Sequence, residues 1–243
     1  MSEGTTLDPD CSSRVTCQSQ PGFRLPDSGD CGIRYLASAT LQGGVRVEVR
    51  SPLPHLRSSN RLAEFRPTRA ELAAAAGRRV PDLIAPGLGV LFCGINPGLY
   101  SAATGHHFAR PGNRFWPALH TAGFTERLLK PWEEKLLLQH EIGITNLVSR
   151  ATAAAAELTP AELRAGGLRL IRKVRRFRPR CVAVVGIGAY RVAFNRPRAS
   201  PGLQPERLDT AALWVLPNPS GLNANHQLPD LVQAFGALRE FVG

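Results

Sequence analysis

Three stretches of this chain are apolar from end to end: Gly89-Val90-Leu91-Phe92-Cys93-Gly94-Ile95, Cys181-Val182-Ala183-Val184-Val185 and Ala212-Leu213-Trp214-Val215-Leu216. A strand with one wet face alternates apolar and polar residues, whereas a strand covered on both faces does not. These runs are short and the first is bounded by glycines, so they read as buried strands. A sheet made of them needs helices on each side, and the intervening sequence supplies them. Thr68 ahead of Arg69-Ala70-Glu71-Leu72 is an N-cap. Thr159-Pro160-Ala161-Glu162 sets proline at the first helical position and glutamate at the third, a capping box for a helix running to about Phe177. Further helices are expected over residues 113–119, 189–194 and 228–241, and a short strand over 142–145. Strands alternating with helices predict an α/β fold, a three-layer sandwich with a mostly parallel central sheet flanked by helices.

The globular part is expected to begin at Pro67. Residues 1–66 are rich in Ser, Gly, Pro and Asp, with only fragments such as Val45-Arg46-Val47-Glu48-Val49 alternating as a strand would, and are expected to form a poorly ordered extension. Residues 67–243 then make one domain. The net charge of +11 favours a polyanionic partner, nucleic acid or an anionic surface, without specifying a reaction. The five cysteines, at 11, 17, 31, 93 and 181, have no paired spacing and no histidine cluster, so no metal site is expected. Met1-Ser2-Glu3-Gly4 lacks the start of a signal peptide, and no stretch approaches the ~20 apolar residues of a membrane span. A soluble, reduced, cytoplasmic protein is expected.

In open α/β sheets ligands bind where loops converge at the carboxyl ends of strands. Two such junctions carry unusual chemistry: Gly94-Ile95-Asn96-Pro97-Gly98, and Leu216-Pro217-Asn218-Pro219-Ser220-Gly221-Leu222-Asn223. Pro97 and Pro219 stiffen the chain, while Gly98 and Gly221 permit close backbone approach. Either loop alone could be an ordinary turn, because Asn, Pro and Gly dominate turns.

Five ordered blocks add a further signal. Residues 84–241 resemble the mismatch-specific uracil-DNA glycosylases, relatives of thymine-DNA glycosylase within the uracil-DNA glycosylase superfamily. The resemblance rests on Ile84-Ala85-Pro86-Gly87-Leu88, Phe92-Cys93-Gly94-Ile95-Asn96-Pro97-Gly98-Leu99, Asn113-Arg114-Phe115-Trp116, Ala122-Gly123-Phe124-Thr125 and Trp214-Val215-Leu216-Pro217-Asn218-Pro219-Ser220-Gly221-Leu222. It does not cover the first 80 or so residues.

The resemblance implies a uracil-DNA glycosylase-like sandwich whose catalytic domain is 67–243. It implies a monofunctional hydrolase, active as a monomer without cofactor or metal, that flips uracil from double-stranded DNA and cuts its N-glycosidic bond. Extrusion is cheapest at a mismatch, which favours uracil opposite guanine. Asn96 falls on the catalytic asparagine, whose amide orients water but cannot take its proton. Phe108 falls on the ring that stacks on the flipped base, with backbone groups of Ile95 and Phe108 reading the polar edge; from the residue alone it reads rather as a core phenylalanine. Ser101 falls beside C5 of the base, favouring uracil over thymine. Gly221, Leu222 and Asn223 fall on the wedge that fills the vacated stack. Asn113, Asn218, Ser220 and His107 are candidate supports.

Several positions depart from the bacterial pattern. His106 and His107 replace an aromatic and a proline and read as solvent-exposed loop histidines, with tuning of leaving-group protonation or phosphate contact as the alternatives. Ala224 stands where that pattern has arginine, so weaker retention on the abasic product is expected. No Asp or Glu occurs between Asp82 and Glu126, so the first loop brings no carboxylate against a departing uracil anion. The arginines between 164 and 180 are read as scattered around their helix, either tracking phosphates or forming a solvated face. Val185-Gly186-Ile187-Gly188-Ala189 resembles a dinucleotide loop, but Arg191 stands where a third small residue belongs, which argues against a nicotinamide cofactor. A superfamily glycosylase with another lesion, such as hypoxanthine or ethenocytosine, and a non-catalytic mismatch binder remain the alternatives.

Overall fold

The structure, a computed structural model, describes residues 66–221 and 226–243. The expected extension lies outside the described residues except for Arg66, as do Leu222, Asn223 and Ala224 of the second loop.

Five strands form one sheet in the order β2-β1-β3-β5-β4, with β1 at Val90–Gly94, β2 at Ile142–Asn146, β3 at Cys181–Val185, β4 at Gly202–Leu208 and β5 at Ala211–Leu216. β1 pairs in parallel with β2 and with β3, and β3 with β5; β4 alone is antiparallel. The expected α/β sandwich is present. β1, β3 and β5 are buried at every position, as their uninterrupted apolar runs require.

Each face of the sheet carries its own core. On one side Phe92, Ile144 and Trp214 meet α3 (Phe115–Thr121), a 3-10 segment (Pro131–His140) and α6 (Leu228–Val242) through Phe115, Leu137 and Phe235. On the other, Leu91, Val182 and Leu213 meet α4 (Pro160–Phe177) and α5 (Ile187–Ala193) through Leu163, Leu170 and Tyr190. Gly166 and Gly167 let α4 lie close: a Cβ on Gly166 would sit 2.6 Å from Leu147 O. α1 (Arg69–Ala74) and α2 (Leu99–Thr104) complete the helices.

The expected caps form. Thr68 accepts from Glu71 N, and Thr159 accepts from Glu162 N with Pro160 at the first position of α4. The helix expected from residue 113 begins at Phe115, because the Asn113 carbonyl oxygen of the side chain accepts Phe115 N–H at 2.9 Å and so acts ahead of the helix. Besides the 3-10 segments at Pro131–His140 and Ala155–Glu157, two elements escaped the sequence reading. α2 is only six residues long, and β4 is an edge strand with Pro205, a residue tolerated only where no ladder bond is needed.

β1 lies between β2 and β3, so the chain leaves β1 toward one edge and returns across it toward the other. This reversal of strand order opens a crevice at the carboxyl ends of β1 and β3.

Candidate active site

A cavity of about 510 Å³ occupies that crevice. It is bordered by Ile95–Gly98 after β1, Asn146 and 152–155 after β2, Val185–Ala189 after β3, and Pro217, Asn218 and Ser220 after β5. Among the candidates from sequence, Ile95, Asn96, Ser101, His107, Phe108, Asn113, Asn218 and Ser220 all line it. Gly221 is described but does not border it. A second concavity, of about 490 Å³, is lined entirely by residues between Asn195 and Glu206 and brings no separate elements together.

Asn96 is held by its amide nitrogen. The two hydrogens of Nδ2 are shared among Thr152 Oγ1 at 2.7 Å, Arg150 O at 3.1 Å and Pro97 O at 3.2 Å. The Thr152 hydroxyl proton goes to Ala154 O at 2.8 Å, which leaves its lone pair for Asn96. Three oxygen acceptors therefore fix which end of the amide is nitrogen, and Oδ1 is the end left to accept a hydrogen bond in the cavity. Arg150 is itself anchored by Glu162, at 2.5 Å and 3.0 Å, and this pairing holds the Glu162 carboxyl down at about 2.

Phe108 adopts a left-handed backbone (φ 52°) that a non-glycine residue rarely takes. Its ring stacks on Phe115 with centroids 4.0 Å apart and planes 16° from parallel. The same ring lines the cavity and packs against the core through Phe115. Gly94 makes room beneath it: a Cβ there would meet Asn146 Oδ1 at 2.5 Å and Phe108 Cζ at 3.3 Å. Among the described residues, no backbone acceptor takes the N–H of Ile95 or Phe108. The Ile95 carbonyl accepts Val148 N–H at 2.9 Å.

The two histidines are corrected by the structure. His107 is buried, with 2% of its surface exposed. Nε2 meets Pro81 O at 2.9 Å, and an acceptor-only carbonyl requires that nitrogen to carry the proton. Nδ1 is then a lone pair, facing Asn146 Nδ2 at 3.5 Å. The backbone N–H of His107 donates to Glu134 Oε2 at 2.8 Å, and Glu134 Oε1 pairs with His106 Nδ1 at 3.2 Å. Burial first, opposed by Glu134, lowers the His107 pKa below its ordinary 6.5. Neither ring is a loose loop side chain, because the 3-10 segment supplies a buried carboxylate to hold the turn.

Ser101 is buried, and its Oγ accepts Ala109 N–H at 3.1 Å, pinning the turn that presents Phe108. Arg114, at the start of α3, clasps the second loop: it donates to Ser220 O at 2.6 Å and His226 O at 2.5 Å, while its backbone N–H donates to Pro219 O at 3.0 Å. Asn218 Oδ1 accepts Ser220 N–H at 3.1 Å. Gly221 sits where a Cβ would be 2.6 Å from Gly112 O, so the loops touch through backbone.

The cavity has no carboxylate among its described lining residues; Arg110, His107 and His226 are its titratable groups. Its chemistry is that of neutral dipoles and a cation around an aromatic shelf, suited to a planar polar ring that gains negative charge. The sequence matches the uracil DNA glycosylase superfamily over residues 81–239. The chain belongs to that superfamily. Glycosylases of this superfamily act on DNA and hydrolyse N-glycosidic bonds. For a superfamily site, Thr152, Asn146, Arg110 and Arg114 are the residues that sequence reasoning missed. The strand-end rule used for the other two loops would have drawn Asn146 and Thr152 in, had it been applied to the segment after β2. Cys93 and Cys181, both free and buried, have thiols pushed up to about 12 by burial and are not nucleophiles. Among the described residues, no group of three or more His, Cys, Asp or Glu could hold a metal ion, and no helix is long and apolar enough to cross a membrane.

Proposed function

We propose that this superfamily member is a monofunctional glycosylase, acting as a monomer, that extrudes uracil from mismatches with guanine and hydrolyses its N-glycosidic bond, the first step of base excision repair. The observation that carries the reading is the three-oxygen grip on Asn96 Nδ2, which leaves Oδ1 to orient an attacking water. An amide cannot remove the proton, so the bond to uracil breaks ahead of attack and charge stabilisation does most of the work. Backbone N–H groups of Ile95 and Phe108 serve the anionic base, and Arg110 adds a positive field at the cavity edge. Phe108 stacks on the extruded ring. Asn146, oriented by His107, faces its polar edge. Ser101, whose hydroxyl is turned to Ala109, leaves the C5 side small and favours uracil over thymine. Gly221, Leu222 and Asn223 act as the wedge, and Ala224 weakens retention on the abasic product.

A second reading, another lesion such as hypoxanthine or ethenocytosine, draws on the polar His107–Asn146 pair, which can meet more than one base edge. The ordered Asn96 amide argues against a purely binding role. The test is incubation with duplexes bearing G·U, A·U, G·T, G·hypoxanthine or ethenocytosine, and with single-stranded uracil, followed by alkaline cleavage. Cleavage greatest at G·U is expected, and greatest cleavage at another lesion would replace the substrate. Asn96→Ala should lower single-turnover excision by roughly 100-fold or more while sparing binding, the scale of losing one group that acts in the transition state. Binding without cleavage by the unaltered protein would leave only a mismatch binder.

A further inference from the structure

The arginines of α4 are not scattered, as the sequence suggested, but sorted. Between Pro160 and Arg180 the chain carries eight arginines and lysines against one carboxylate, Glu162. Leu163, Gly166, Gly167, Leu170 and Val174 form the buried face. Lys173 and Arg169 flank it and turn inward, to Asp82 at 2.6 Å and Leu147 O at 3.1 Å. Arg164, Leu168, Arg172 and Arg176 recur every four residues on the outer face, all exposed, and Arg178, also exposed, follows as the C-cap. Among the described residues, no carboxylate pairs with Arg164, Arg172, Arg176 or Arg178; Glu162 is taken by Arg150, Asp209 by Arg175 and Glu141 by Arg180.

This face does not belong to the cavity. α4 starts beside the cavity, where Arg150 meets Glu162, and ends at the opposite rim of the sheet, where Phe177 O accepts Gly87 N–H and Arg180 N–H donates to Leu88 O. Its 18 residues span roughly 27 Å. Arg172, Arg176 and Arg178 therefore lie about 18 Å or more from the end that borders the cavity.

We propose that the outer face of α4 is a second DNA-binding surface, which holds the phosphates of a duplex segment other than the one seated at the cavity. A row of guanidinium groups without local counterions recovers its energy by displacing the cations condensed on a duplex. The face offers no apolar pocket in which a protein partner could anchor a side chain; Leu168, 64% exposed, is its single large apolar residue. The proposal takes from the superfamily membership only that the substrate is DNA, and it is independent of which base is excised.

The test compares the full chain with the variant R164Q/R172Q/R176Q/R178Q and with its all-lysine counterpart. An immobilised uracil-containing duplex loaded with protein is offered a second, labelled, undamaged duplex. The unaltered protein and the lysine variant should capture it and the glutamine variant should not. Excision from a short uracil duplex should be the same for all three, which separates this face from the catalytic cavity. The slope of log affinity against log salt for undamaged duplex should fall by about 3 to 4 on removing four phosphate contacts. Equal capture by the glutamine variant, or no capture by the unaltered protein, overturns the proposal. Binding of poly-glutamate through the same arginines without capture of a second duplex would assign the face to an acidic polypeptide instead.

Discussion

Asn96 and Thr152 are 56 residues apart in the chain, and their side chains meet at 2.7 Å, with the amide donating and the hydroxyl accepting. The hydroxyl has one proton, and Ala154 O takes it, so the direction of the contact is determined. The orientation of the asparagine is thereby set by the loop after β2, the strand that pairs with its own.

Thr152→Val should lower the single-turnover excision rate by roughly 10-fold, the equivalent of about 1.4 kcal/mol for one lost orienting hydrogen bond. Thr152→Ser should stay near the original rate. Neither group titrates near neutrality, so the pH profile should keep its shape in both variants. A rate unchanged in Thr152→Val would show that the two carbonyls hold the amide unaided.

Stability should fall in mild acid because of His107. Its folded-state pKa is lowered, so the folded protein resists the proton that the unfolded chain accepts at 6.5. The contribution is complete above 6.5 and is lost as the pH falls through the lowered folded-state value. Thermal denaturation across this range should show a declining Tm. The decline should be shallower in His107→Gln, whose amide can still donate to Pro81 O. Glu162, held at about 2 by Arg150, adds a separate loss that starts only below its ordinary 4.5.

Gly94→Ala should damage excision more than folding. The new methyl would sit 2.5 Å from Asn146 Oδ1, and a displaced Asn146 can swing into the cavity. Overpacking of this kind costs roughly 1–3 kcal/mol. Excision kinetics and thermal melts on one preparation check the prediction; a full-rate enzyme with a depressed Tm contradicts it.

Arg114→Gln should loosen the second loop from the start of α3. It removes the charged contacts to Ser220 O and His226 O, each worth about 1.5–3 kcal/mol. Weaker binding of abasic product and a kcat/KM lowered by roughly 10-fold or more are expected, measured by anisotropy and steady-state kinetics. Retention of both would mean that the backbone bond from Arg114 N to Pro219 O suffices.

What could be read from the sequence follows from how local each determinant is. β1, β3 and β5 announce themselves because burial on both faces leaves no polar residue in the run, and α4 because Thr159, Pro160 and Glu162 are a self-contained cap. β4 does not, since an edge strand with Pro205 and exposed Glu206 neighbours has the composition of a loop. Asn96 stood out through its rigid Pro-Gly setting. Thr152 did not, because its role is conferred by Asn96, 56 residues earlier in the chain. His107 was misread for the same reason: Pro81 O and Glu134, which make its burial tolerable, are 26 and 27 residues away. Leu222 and Asn223 lie outside the described residues, so the wedge rests on resemblance alone.

The stacking of Phe108 on Phe115 ties the cavity floor to the central core, since Phe115 also meets Phe92, Trp116 and Phe235. In the proposed function, a base settling on Phe108 would become the top ring of a pile whose foundation is laid when the chain folds. The mould for that base would be cast before any DNA arrives, its dimensions inherited from residues that never border the cavity. Drift in those interior rings can then retune which base fits while every polar group around the cavity keeps its identity.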